Sequence, residues 1–154
     1  MSPAAVVLDA SALLVALNAE RGADAVARVL PGAAISAVNL SEVVAKLVER
    51  GMPPREIRSA LDALGLDIHP FDRELAYLAG QLRGRTRSRG LSLGDRACLA
   101  LGLRLALPVL TADRGWTELG LDLRVQVVCG RGRLIGQARA HSPTIVATDP
   151  AFRA

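Results

Sequence analysis

Aromatic residues make up only 3% of this 154-residue chain: one tryptophan, one tyrosine and two phenylalanines. Its core must therefore be aliphatic, and stacking of bases on rings cannot dominate any binding it performs. Lysine is nearly missing too, since Lys46 is the only one among 19 basic residues and the rest are arginine. Two cysteines, Cys98 and Cys129, cannot build a framework of bridges, so both read as buried thiols of a reducing compartment. His69 and His141 stand alone, and no His or Cys cluster suggests zinc. The first apolar run is broken at Asp9 and is too short to span a bilayer. Met1-Ser2-Pro3-Ala4 lacks the basic stretch of a signal peptide. These absences exclude disulfide-stapled, zinc-stabilised and membrane-spanning classes, and the expectation is a soluble, cytoplasmic protein.

Hydrophobic residues are abundant, at 51% with a mean hydropathy of +0.30. A chain of this length reads as one domain with a core of Ala, Val and Leu. Short apolar runs at 5–8, 33–36, 66–70 and 108–110 read as buried strands, and 124–128 as a last, edge strand. Between them run helical spacings: Leu13, Leu14 and Leu17; Val43, Val44, Leu47 and Val48; Ile57, Leu61 and Leu64; Leu75, Leu78, Ala79 and Leu82. Gly51 suits the position after a helix end, and Asp72 and Ser92 suit N-caps. Strands alternating with helices imply an α/β fold on a parallel sheet of about four to five strands. After Cys129 the character changes. Gly130-Arg131-Gly132-Arg133 reads as turn, Ile145 and Val146 as material for an added strand, and 130–154 as an extension whose order is left open beyond a 1–129 domain.

Four acids sit where apolar segments meet a helix or strand end. Asp9 closes Val6-Val7-Leu8, and its bland alternative is an N-cap for the helix that follows. Glu42 lies three residues after Asn39, on the same side of a helix, and could equally be a solvated glutamate favoured by the helix dipole. Asp95 follows Ser92 by three residues, which also matches a capping box, although aspartate is shorter than the usual partner. Asp113 follows Val109-Leu110-Thr111-Ala112, where an Asx turn is the plain alternative. Carboxylates at the carboxyl edge of parallel strands face the crevice where such folds bind ligands. Four converging there would repel unless a divalent cation sat among them, and oxygen ligands suit Mg²⁺ or Mn²⁺. The net charge of +4, carried by arginine, suits a phosphate-bearing partner. Arg83, Arg85, Arg87 and Arg89 form a basic run that is either a solvated helix end or a phosphate contact.

In order, the segments Val-Leu-Asp-Ala-Ser, Asn-Leu-Ser-Glu-Val, Leu-Ser-Leu-Gly-Asp-Arg-Ala and Pro-Val-Leu-Thr-Ala-Asp-Arg-Gly-Trp resemble PIN-domain ribonucleases over about residues 4–128. They resemble more closely the VapC toxins of bacterial toxin–antitoxin pairs. The resemblance implies a three-layer α/β/α domain and an endoribonuclease dependent on Mg²⁺ or Mn²⁺. It implies a homodimer held by a VapB-like antitoxin, and an acidic quartet at Asp9, Glu42, Asp95 and Asp113 with Ser11, Asn39 and Thr111 in support. The rivals are a non-catalytic PIN-like partner-binding module and a phosphatase with Asp9 as nucleophile. The second needs another acid two residues on, where Ser11 stands.

Overall fold

The computed structural model describes residues 4–129 and 133–136. Strand β1 (Val7–Leu8) leads through helices α1 (Ala10–Leu17) and α2 (Ala23–Ala27) to β2 (Ala34–Ser36). Helices α3 (Ala37–Glu49) and α4 (Pro54–Asp62) carry the chain to β3 (Asp67–His69). Then α5 (Arg73–Thr86) and α6 (Leu93–Leu105) return it to β4 (Val109–Thr111), and β5 (Val125–Cys129) and β6 (Arg133–Gly136) follow. The expected strands and helices are present, most within a residue or two at their ends, while α2 stops three residues short of the expected 23–30. Local chemistry explains several boundaries. Ser36 accepts from the Val38 amide at the start of α3, and Asp72 accepts from the Leu75 amide at the start of α5. Gly51, with φ +82°, takes the left-handed conformation just past α3 that a side chain would resist.

The strand order is β3-β2-β1-β4-β5-β6, with the first five strands parallel. Register sorts the side chains into two faces. Leu8, Ile35 and Leu110 are level with one another and pack with Leu13, Val26, Val43, Leu47, Ile57 and Leu61 of α1 to α4. Val7, Ala34, Val109 and Val125 point the other way, onto Leu75, Leu82, Leu99 and Leu101 of α5 and α6. Helices thus cover both faces of the sheet, in three layers. On the second face α6 lies close, because a β-carbon added at Gly102 would stand 2.5 Å from Val109 Cγ1.

One expectation fails. Strand β5 is not an edge: β6 pairs with it antiparallel, with Cys129 opposite Arg133 and Val127 opposite Ile135. Arg133, read as turn, belongs to a strand. The four residues of β6 hold only two adjacent apolar side chains, Leu134 and Ile135, too little for a periodic signal, and the pairing comes from the open edge of β5. Ile145 and Val146 lie outside the described residues.

The chain runs outward from β1 to β3, then crosses to β4 on the opposite side of β1. That reversal makes the carboxyl ends of β1 and β4 the switch point of the sheet, the usual ligand crevice of parallel α/β folds. Asp9 follows β1 directly, and Thr111 ends β4.

Candidate active site

Asp9 is 4% exposed. Its backbone amide donates to Leu110 O at 2.9 Å, which docks the end of β1 against β4. Although Asp9 occupies the N-cap position of α1, its side chain makes no capping bond. Instead Oδ2 accepts from Ser11 Oγ at 2.5 Å and from Thr111 Oγ1 at 3.0 Å. Each hydroxyl in turn accepts a backbone amide, Ala112 N on Ser11 at 2.9 Å and Asp113 N on Thr111 at 3.1 Å. A hydroxyl has one proton to donate, so these two are aimed by the backbone at one carboxylate oxygen. Burial raises the Asp9 pKa from 3.8. The two hydroxyls and the Ala10 amide oppose the rise, and the charge of Asp95 adds to it.

Glu42 reaches the same region from α3. Asn39 Nδ2 donates to Glu42 Oε2 at 3.2 Å and to Gly94 O at 3.0 Å, so a wholly buried amide ties α3 to the first turn of α6. Burial raises the Glu42 pKa as well, Asn39 moderates it, and Asp9 and Asp95 push it further up. Of the solvated, dipole-favoured alternative, partial exposure remains, since Glu42 is half-buried, but the dipole does not reach it. Glu42 is the sixth residue of α3, beyond the first turn where that dipole acts. Asn39 Oδ1 is buried without a hydrogen-bond partner.

Asp95 takes the capping role that its spacing from Ser92 suggested. The capping box is complete: the Ser92 amide donates to Asp95 Oδ2 at 2.9 Å, and the Asp95 amide to Ser92 Oγ at 3.1 Å. Its charge also reaches Asp9 and Glu42. Asp113 stands apart. It is exposed, it accepts from the Gly115 amide at 2.8 Å in the Asx turn that its position suggested, and it is not among the charges acting on Asp9 or Glu42. The structure thus gathers three of the four acids and leaves Asp113 at the rim. Among the described residues no three Asp, Glu, His or Cys side chains are close enough to hold a metal ion outright.

Two neighbours of the acids were not linked to them by the sequence. Cys98, one turn after Asp95 on α6, is wholly buried, and burial together with Asp9, Asp95 and Glu42 drives its thiol well above 9.0. Gly94 lies against the Glu42 carboxylate, and its one signal is a glycine in a helical turn that could hold alanine. The arginine run divides. Arg85 Nη2 donates to Gly120 O at 3.0 Å, and Arg89 pairs with Glu118 at 2.9 Å, so both fasten the end of α5 to the segment after β4. Arg83 and Arg87 are exposed, and their side chains make no hydrogen bond or ion pair among the described residues.

A family model of the PIN domain matches residues 6–121. The chain belongs to the PIN domain family. Among solved structures of like fold is the DNA-bound VapBC of Salmonella typhimurium, 17% identical, covering 82% of this chain and 99% of that one, at a TM-score of 0.65. VapC20 of Mycobacterium tuberculosis, described as a sarcin–ricin loop cleaving toxin, is 16% identical over 75% and 95% of the two chains, with a TM-score of 0.62. A toxin–antitoxin complex from Klebsiella pneumoniae is 23% identical over 70% and 86%, at 0.60. At these identities the likeness is one of fold. No curated protein sequence matches the chain. No helix among the described residues is long and apolar enough to cross a membrane.

Proposed function

We propose that the protein is a metal-dependent endoribonuclease, the toxin of a VapBC-type pair, hydrolysing RNA phosphodiesters with Mg²⁺ or Mn²⁺. The observation that carries this reading is the pair of pKa-raised carboxylates, buried Asp9 and half-buried Glu42, with the charge of Asp95 acting on both at the switch point of the sheet. Desolvated carboxylates whose pKa is raised further by a neighbouring carboxylate call for positive charge. The donors are hard oxygens, and Asn39, whose Nδ2 donates to Glu42, has a buried Oδ1 without a partner, which fits a divalent cation better than zinc. Asp9, Asp95 and Glu42 would hold it, with Asp113 from the rim. A cation bound there supplies charge neutralisation and Lewis-acid activation for phosphodiester hydrolysis. Ser11 and Thr111 orient Asp9 and oppose the rise in its pKa, and Asn39 holds Glu42.

Arg83 and Arg87 are the residues of the basic run left to meet RNA phosphates, while Arg85 and Arg89 serve mainly to hold the fold. The nuclease unit is residues 1–129, working as a cytoplasmic homodimer, with 130–154 as an extension. The structures of like fold from Salmonella typhimurium and Klebsiella pneumoniae are toxin–antitoxin complexes, which supports a small antitoxin whose cationic side chain meets the acids. The second reading, a non-catalytic PIN-like binding module, draws on the lack of a ready-made metal cluster among the described residues. Cleavage of RNA by purified protein with Mn²⁺ and with chelator decides between them. Asp9→Asn is expected to abolish cleavage and keep the fold. Full cleavage by a folded mutant would sink the site assignment, and no cleavage by the wild type would favour the binding module. An adjacent antitoxin reading frame and growth arrest on overexpression are the matching cellular results.

A further inference from the structure

We propose that Gly94 is a positioning residue of the acidic site, acting through Glu42. The inference rests on the reading above that Glu42 serves that site. Gly94 is the second residue of α6, buried, and its φ is not in the left-handed region, so the backbone there accepts any L residue. Glycine is a poor choice on helical grounds, since alanine is a much stronger helix former. Space is the reason for it. A β-carbon at position 94 would stand 2.5 Å from both Glu42 Cδ and Glu42 Oε2, and closer still to Oε1. The Gly94 carbonyl also accepts from the Asn39 amide that holds Glu42 Oε2. The glutamate carboxylate therefore lies flat on the first turn of α6, next to Asp95, only because residue 94 has no side chain.

The obstacle to a methyl group is the far end of a flexible side chain, so the carboxylate gives way before the helix does. Gly102 differs, because a β-carbon there meets Val109 and Leu123. Gly94→Ala should thus fold and leave Glu42 displaced, and small misplacements of catalytic groups lower rates by up to about 100-fold.

The test is a double-mutant cycle of Gly94→Ala and Glu42→Ala, read two ways. In chelator, Gly94→Ala should raise the melting temperature more in the Glu42→Ala background than in the wild type, because only there does the helix gain come without moving a carboxylate. Equal increments overturn the proposal. If Gly94→Ala alone does not fold, the double mutant decides: folding supports the contact, and failure to fold overturns it. In RNA cleavage with Mn²⁺, Gly94→Ala should be about 10- to 100-fold slower than wild type. On top of Glu42→Ala it should change the residual rate by less than about twofold. Wild-type cleavage by folded Gly94→Ala overturns the proposal. A wild type inert on RNA overturns the nuclease reading instead, and the melting cycle still judges the contact.

Discussion

Replacing Asp95 separates two roles that one carboxylate holds. It closes the capping box of α6 through Ser92, and its charge acts on Asp9 and Glu42. Asparagine keeps an oxygen for the Ser92 amide and removes the charge, whereas alanine removes both. In metal-free protein the lost charge at the helix N-terminus costs about 0.3–1 kcal/mol. Relief of repulsion works the other way, but Asp95 ranks behind burial and the side-chain hydrogen bonds in shifting both Asp9 and Glu42. The two effects nearly cancel, so Asp95→Asn should change stability by less than about 1 kcal/mol. Asp95→Ala also loses the side-chain acceptor and should fall about 1 kcal/mol below Asp95→Asn. For a domain of this size that gap is about 2–4 °C in melting temperature. Mn²⁺ should stabilise the wild type by binding linkage and both variants much less, and RNA cleavage should be lost in both. The assay is thermal unfolding in chelator and in millimolar Mn²⁺. A chelated Asp95→Asn protein melting above wild type by more than about 4 °C would refute the ranking of capping over repulsion. Equal Mn²⁺ responses would refute Asp95 as a ligand.

Two further outcomes follow from the same geometry. Asp9 has a folded pKa raised from 3.8, so the native state holds its proton over a range where the unfolded chain has lost it. Its contribution is therefore most favourable below 3.8 and is lost as pH rises through the raised value. The melting-temperature gain of Asp9→Asn over wild type should widen between about pH 4 and pH 7 in chelator, and a gap independent of pH would contradict the burial argument. Arg83→Ala with Arg87→Ala should weaken RNA binding and flatten its dependence on log salt by up to about two, with unchanged melting. Arg85→Ala with Arg89→Ala should instead lower the melting temperature slightly, and the opposite division would show the RNA contact lies with the second pair.

The sequence by itself determined what is local. Short apolar runs, the 3.6 period, caps at Asp72 and Ser92 and the glycine after α3 set the order and type of the elements, because each depends on neighbours a few residues away. It also placed Asp9 and Asp113 beyond strand ends, and a parallel sheet makes such positions a crevice. Tertiary structure decided what depends on distance in space. Asp95 completes a capping box and also brings its charge to bear on Asp9 and Glu42, which a choice between local alternatives could not express. Asp113 follows the same strand-then-acid pattern as Asp9, yet its side chain turns to Gly115 at the rim while that of Asp9 turns inward to Ser11 and Thr111. Strand β6 exists because β5 offered an open edge, and its own four residues carry almost no pattern. Gly94 shows the limit most plainly. A glycine in a helix looks like a weakness in one dimension, and only the arrival of Glu42 from another helix gives it a physical reason.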